Sequence, residues 1–287
     1  MGGIGISRYK LDYQLALIAA ASGVTIIHER VEDVIFKGNT YLIKTNKATY
    51  LARISTGSFG KRSNLDVKWL RPFIRSAARG LNNYMGIKYH IRYDHPKDLI
   101  ALHNFKNGYC GISAIEEDKY CLCYLTSASN LSDNNNEIGT MERQVLYRNR
   151  HLEKIFTEAE FLYKEPLVIS QVSFANKTQA VANMPLCGDA AGLITPLCGN
   201  GMSMALKASS MIAPLLDTFL NDKLSITQLN EQYTALWHTT FNKRLQLGRL
   251  VQSAFGNNFM TSAFLQTCRL FPPLADTLIR NTHGDTF

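Results

Sequence analysis

The sequence predicts a mixed α/β (α+β) fold, and three observations carry that expectation. Apolar residues at helical spacing precede β-branched runs near the start. Short strands with turn residues between them fill the middle, and long amphipathic helices follow a glycine-rich stretch. Residues 9 to 22 place Leu11, Leu15, Ile18 and Ala19 on one helical face, with Gly23 as the stop. Residues 24–36 and 39–56 are rich in β-branched and aromatic side chains, with Lys37-Gly38-Asn39 as a turn between two strands. From Tyr84 to Thr126, four short runs separated by Asp-His-Pro, Lys-Asn-Gly and Glu-Glu-Asp-Lys predict an antiparallel sheet. Residues 127–140 are polar and asparagine-rich and read as a loop. Met141 to Glu160 reads as a helix and 165–174 as a strand.

Val181 to Cys187 then reads as a short apolar strand leading into "CGDAAGLITPLCGNG". The helix beyond it carries apolar residues at 204, 208, 211, 212, 215, 216 and 219 and contains Pro214, a kink signal. Ser225 with Gln228 forms a capping-box signature that opens a second long helix, with apolar positions 229, 233, 236, 237 and 241. The tail reads as helical, broken at Pro272-Pro273. The domain reading is 1–70 with 175–222 as one discontinuous domain, 71–174 as an antiparallel-sheet domain, and 223–287 as a C-terminal helical region.

Composition narrows the function classes. At 287 residues, 46% hydrophobic and 19% charged, the chain has the balance of an ordinary globular protein. No apolar run approaches the ~18 residues of a membrane-spanning helix. The opening MGGIGISRYKLD lacks the charged-then-apolar layout of a secretory signal, so a cytoplasmic location is expected. Cysteines at 110, 121, 123, 187, 198 and 268 show no zinc-ligand spacing and the histidines no HExxH, so no metal site is expected. The net charge of +8 is concentrated: Lys61 to Lys97 holds nine Lys/Arg against Asp66 and Asp94. With no nucleic-acid motif beside it, this segment reads as a solvated face or as a contact for a membrane surface or carrier-bound substrate. Arg71, Arg75 and Arg79 would form a stripe if helical.

The glycine-rich stretch carries the chemistry. A strand ending at Gly188-Asp189 and a helix opening at Gly199–Gly201 would leave first-turn N–H groups without intrahelical partners, with the positive end of the helix dipole beside them. Such a place suits an anion or a carbonyl. An ionised Asp189 is acceptor-only and suits the hydroxyls of a sugar or ribityl chain. A small-residue packing motif is the alternative reading of Ala190, Ala191 and Gly192.

"GDAAGLITPLCGNGMSMAL" resembles the second flavin-binding motif of the FAD-dependent superfamily that includes p-hydroxybenzoate hydroxylase and the geranylgeranyl reductases. "ISRYKLDYQL" looks like that superfamily's arginine-bearing helix start, and "STGSFGKRS" like a degenerate G-A-D-G-x-x-S turn, with Ser58 and Phe59 in place of Ala and Asp. The resemblance implies an incomplete FAD-binding Rossmann-like domain with an inserted antiparallel-sheet substrate domain. The implied cofactor residues are Arg8, Val31, Gly188, Asp189, Pro196, Gly199, Asn200, Gly201 and Met202. Asp189 would bond the ribityl chain, and the amides from Gly199 to Met202 would face the flavin pyrimidine edge.

The superfamily's GxGxxG turn is absent from the sequence, and the chain reads as a member that starts late. The implied activity is an FAD-dependent oxidoreductase of reductase type on an apolar, isoprenoid-like or polyketide-like small molecule, with NAD(P)H as candidate reductant. A flavin monooxygenase on an aromatic substrate and a non-enzymatic remnant unable to hold FAD alone are the alternatives. No catalytic acid or base stands out. His90, His103 and Tyr89, Tyr109, Tyr120 and Tyr124 read as satisfied core or surface residues.

Overall fold

Helix α1 (Arg8–Ala21) starts at Ser7, whose hydroxyl accepts the Lys10 N–H at 3.2 Å, and ends before Gly23. None of its residues is buried. In this computed structural model, residues 4–75, 83–256 and 258–283 are described. They divide into two units. One holds the described residues within Met1–His28, Asn83–Val172 and Ala254–Phe264, the other those within Glu29–Asn82, Ser173–Ser253 and Leu265–Phe287.

In the first unit, β4 (Tyr84–Arg92), β5 (Ala101–Phe105), β6 (Gly108–Ala114) and β7 (Tyr120–Ser127) form the antiparallel sheet that the turn residues predict, in the order β5-β6-β7-β4. Strands β8 (Glu160–Phe161) and β9 (Leu167–Val172) both pair with β4. Alternation sends Ile87, Ile91, Cys110, Ile112 and Leu122 to one face, where they pack with Met141, Leu146, Leu152 and Ile155. The asparagine-rich segment is not a loop. It forms α4 (Ala128–Ser132) and α5 (Ile138–Met141), because Ser127 caps α4 and the Asn130 amide, buried, donates to the Lys106 carbonyl and the Thr126 hydroxyl. The helix expected over 141–160 is also interrupted. Residues Glu142–Leu146 form a π-type turn, and α6 (Arg150–Glu158) starts afresh at the Asn149 cap.

That π-type turn aims Glu142 into the core. Its Oε1 accepts both the Tyr89 hydroxyl at 2.8 Å and the Tyr124 hydroxyl at 2.7 Å, and burial raises its carboxyl above the ordinary range against the opposing pull of these bonds. A folded pKa above the unfolded one means stability fully present below the unfolded value and lost as pH rises through the folded one. Glu142→Gln keeps the acceptor and drops the charge, so it should flatten this pH slope and hold or raise stability at neutral pH. Glu142→Leu strands two buried hydroxyls and should cost about 2–4 kcal/mol. Chemical denaturation at acidic and neutral pH checks both, and equal losses for the two variants would contradict the assignment.

In the second unit, β1 (Val31–Lys37), β2 (Thr40–Thr45) and β3 (Thr49–Ala52) form an antiparallel meander joined through Gly38-Asn39, both at positive φ, the geometry of a tight hairpin. The first strand starts later than the sequence predicts. Residues 24–30 run outside any strand, since no ladder forms beside them among the described residues, and Val24, Ile26 and Ile27 are exposed. Helices α2 (Asn64–Lys68) and α3 (Pro72–Arg75) follow. The strand expected over 181–187 is a small hairpin, β10 (Ala180–Val181) and β11 (Met184–Pro185), turning at Ala182-Asn183.

Helix α7 (Gly201–Leu220) contains Pro214 and buries Met204, Ala208, Met211 and Ile212. Helix α8 (Ile226–Ala254) opens with the expected capping box: Ser225 N–H donates to Gln228 Oε1 at 2.9 Å, and Gln228 N–H to Ser225 Oγ at 3.2 Å. It buries Leu229, Tyr233, Trp237, Phe241 and Leu245, while Leu236, expected on that face, is exposed. Helices α9 (Asn258–Leu270) and α10 (Pro272–His283) are separated at the expected Pro272-Pro273. Among the described residues no helix is long and apolar enough to cross a membrane.

Candidate functional site

The site begins where β11 runs out. Gly57 N–H donates to the Pro185 carbonyl at 2.9 Å and the Gly57 carbonyl accepts from Cys187 N–H at 2.8 Å, a parallel bridge between Gly57 and Leu186 that fixes the entry to the glycine-rich stretch. Gly188 then turns the chain at φ 57°, a left-handed conformation that suits glycine, and Gly188–Ala190 form one 3₁₀ turn. Ala190 and Ala191 are fully buried, and a Cβ on Gly192 would stand 2.6 Å from the Trp237 ring. The small residues therefore do serve packing. The space left between this turn, α7 and Trp237 is about 10 Å³, room for about one water. Any larger ligand of the turn lies outside that seam.

A second 3₁₀ turn, Pro196–Cys198, ends at Gly199 in the left-handed region, φ 67°, and α7 opens at Gly201. The Asn200 amide donates to the Thr282 carbonyl, and its own carbonyl accepts the Met204 N–H at 3.1 Å. Among the described residues, nothing beyond its chain neighbours lies within 4 Å of where a Gly199 Cβ would stand, and a Gly201 Cβ would meet Ile194 at 3.8 Å. The described backbone at Gly199, just before this 20-residue helix, is thus open to a flat partner while the N-cap Asn200 is buried against Thr282, and Asp189 lies in the same unit.

Of the residues expected to hold a cofactor, Gly188, Asp189, Pro196, Gly199, Asn200, Gly201 and Met202 fall on this one stretch. Val31 opens β1 in the same unit and is exposed. Arg8 lies in the other unit, on the surface of α1, with its guanidinium on Asp12 at 2.9 Å. A cleft of about 590 Å³ beside β1, lined by Asp33, Phe36, Lys68, Trp69 and Asn183 among others, includes none of the expected residues. The basic segment is partly spent in pairs: Lys68 with Asp33, Arg71 with Asp66, Arg92 with Glu160 and Lys97 with Asp118. Arg71 is buried at 2% exposure and cannot belong to a surface stripe. Arg79, and the side chain of Arg75, lie outside the described residues.

Sequence reasoning missed what holds the turn. Lys177, Arg71 and Gln179, each at least nine-tenths buried, donate to the carbonyls of Asp189, Ala190 and Ala191 at 2.6, 3.0 and 3.1 Å. Burial, reinforced by the charge of Arg71, lowers the Lys177 ammonium to about 8. The one available signal was Ser63-x-x-Asp66, a capping box five residues before Arg71.

No family model and no curated protein sequence matches the chain. By structure it is similar to the flavin-dependent brominase Bmp2, with a TM-score of 0.76 and 16% identity over 97% of this chain and 70% of that one. It is also similar to pqsL, a probable FAD-dependent monooxygenase from Pseudomonas aeruginosa, with a TM-score of 0.64 and 16% identity over 88% of this chain and 71% of that one. A flavoprotein/dehydrogenase from Cytophaga hutchinsonii matches with a TM-score of 0.68 and 17% identity over 90% and 64% of the two chains. At these identities the likeness is one of fold. The chain has the mixed α/β fold, with antiparallel sheets and C-terminal helices, of FAD-binding halogenases and monooxygenases.

Proposed function

We propose that this chain is an FAD-dependent oxidoreductase acting on an apolar small molecule, with the flavin end of the cofactor held by residues 188–202. The observation that carries this reading is the pairing of the Gly188–Ala190 turn, which presents Asp189, with the open backbone at Gly199 just before α7. These residues fit the ribityl chain and pyrimidine edge of a flavin. Asp189 supplies an acceptor for hydroxyls, and the first-turn amides of α7 with the helix dipole favour negative charge on a carbonyl edge. The bound flavin would supply two-electron redox chemistry; the chain would orient it and exclude water. The sequence contains no GxGxxG turn, so the assignment concerns the flavin end alone. Val31, in the same unit as residues 188–202, is proposed as a further contact of the cofactor, NAD(P)H as reductant, and a cytoplasmic location as the setting.

Within this class, the likeness to flavin-dependent halogenases and a probable FAD-dependent monooxygenase favours an oxidative reaction over the geranylgeranyl-reductase type. Titration of the full chain with FAD, followed by quenching of flavin fluorescence, should saturate. NADPH consumption by the loaded protein beyond one equivalent per flavin should require oxygen if the oxidative reading holds, and should proceed without oxygen on addition of an isoprenoid-like alkene as electron acceptor if the chain is a reductase. A chain that leaves flavin fluorescence unchanged would remove the cofactor reading altogether and favour a non-enzymatic role. Of the basic residues from Lys61 to Lys97, the exposed Arg92 and Lys97 of the first unit remain a proposed contact for a membrane surface or carrier, and binding to anionic vesicles should then fall steeply with added salt.

A further inference from the structure

The turn that carries Asp189 is held from beneath by three side chains that no part of the cofactor reading uses. A 3₁₀ turn that stops at Ala190 leaves its last carbonyls without the amides a continuing helix would supply. The Ala190 and Ala191 carbonyls belong to fully buried residues, where an unmet acceptor is costly, and Asp189 is half-buried beside them. Each is met by a different side chain. Lys177 Nζ donates to Asp189 O at 2.6 Å, Arg71 Nη1 to Ala190 O at 3.0 Å, and Gln179 Nε2 to Ala191 O at 3.1 Å.

The donors are themselves fixed. Lys177 also donates to the Lys61 carbonyl at 2.7 Å and stands 4.5 Å from the centroid of the Phe73 ring. Arg71 is paired with Asp66 at 2.7 Å and donates to Thr178 O at 2.8 Å, and Gln179 donates to Lys177 O at 2.7 Å. Lys177 and Gln179 are two residues apart, the spacing that puts both on one side of an extended run.

We propose that Lys177, Arg71 and Gln179 are positioning residues that set the geometry of the 188–192 turn, and through it the affinity of the site for a flavin ribityl chain. The second half of this inference rests on the cofactor reading above; the first half does not. In a planar trans peptide the N–H points opposite the carbonyl. Pinning Asp189 O inward therefore aims the Ala190 amide the other way, and an ammonium on that carbonyl strengthens the same amide as a donor. The charged groups around Lys177 are Arg71, Asp66, Asp189 and Lys61, and the ammonium stays protonated up to a pH of about 8. Above that it keeps two N–H donors but loses the charge that makes the bonds strong.

The test compares Lys177→Met, Lys177→Arg and Gln179→Leu with the unaltered chain by two readouts. One is amide hydrogen exchange at residues 188–192 in the protein alone; the other is FAD affinity by fluorescence. Lys177→Met should raise exchange in the turn while the sheet of β4 to β7 keeps its protection, and should weaken FAD by about tenfold, the scale of one charge-assisted bond. Lys177→Arg should recover most of both. The unaltered chain should lose affinity as pH rises through about 8 and the arginine variant should not. If Lys177→Met does not fold, Gln179→Leu carries the same two readouts with no charge removed. Faster exchange in the turn of a chain that takes up no FAD would uphold the positioning role and sink the cofactor reading. Unchanged exchange at 188–192 in both Lys177→Met and Gln179→Leu would overturn the proposal.

Discussion

Replacing Arg71 with methionine is expected to destabilise the second unit by about 3–5 kcal/mol, the cost of leaving one member of a buried ion pair without the other. Arg71 is 2% exposed and Asp66 0%, at 2.7 Å, and the Asp66 carboxylate also accepts the Ser63 N–H at 2.7 Å to close the capping box of α2. Methionine fills the space of the aliphatic stem, so the loss reports the stranded carboxylate and the two carbonyls, Ala190 O and Thr178 O, that lose a donor. Against a total domain stability of about 5–15 kcal/mol this is a large share. Both tryptophans, Trp69 and Trp237, lie in this unit, so their fluorescence during urea unfolding reads it directly. Adding Asp66→Leu to Arg71→Met should return part of the loss, because two absent charges are tolerated better than one unpaired charge. A single-variant loss below about 1 kcal/mol would mean that the pair is solvated.

The same arginine shows where sequence reading stops. In the sequence it is one of nine basic residues in a run and looks like surface charge, because a single position does not reveal burial. Its partners decide the matter, and Ala190 is 119 residues away. Features built from near neighbours were legible. The Ser225–Gln228 box, the Gly38-Asn39 hairpin and the β5-β6 and β6-β7 hairpins each rest on residues close in the chain, whereas the pairing of β4 with β7 does not. The helix opening at Gly201 was legible too, with the left-handed Gly199 just before it, but the strand read as ending at Gly188-Asp189 stops at Pro185 and gives way to a 3₁₀ turn. Residues 127–140 were misread because asparagine usually competes with helix formation. Here Asn130 instead spends its amide on Lys106 O and Thr126 Oγ1, which pins a short helix against β7. The strand expected from Val24 failed for a related reason: β-branched composition supplies the propensity, but a strand exists only beside a partner.

Asp189→Ala is expected to weaken FAD binding by about tenfold to one hundredfold, since a hydrogen bond to a charged group contributes about 1.5–3 kcal/mol and each tenfold in affinity is about 1.4 kcal/mol. The fold should survive. Lys177 bonds the Asp189 carbonyl, which alanine retains, and the side chain itself is only half-buried. The substitution has a second, separable consequence. Asp189 supports the charged forms of both Lys177 and Lys61, so its loss should move the Lys177 titration further below about 8 and shift any pH-dependent fall in affinity to lower pH. Asp189→Asn keeps an acceptor oxygen without the charge. It should therefore hold more affinity than alanine while showing the same shift in pH dependence. Wild-type affinity in the alanine variant would place the ribityl chain elsewhere. Weakened binding in both variants with an unmoved pH profile would keep Asp189 as a contact and remove Lys177 as the group that titrates beneath it.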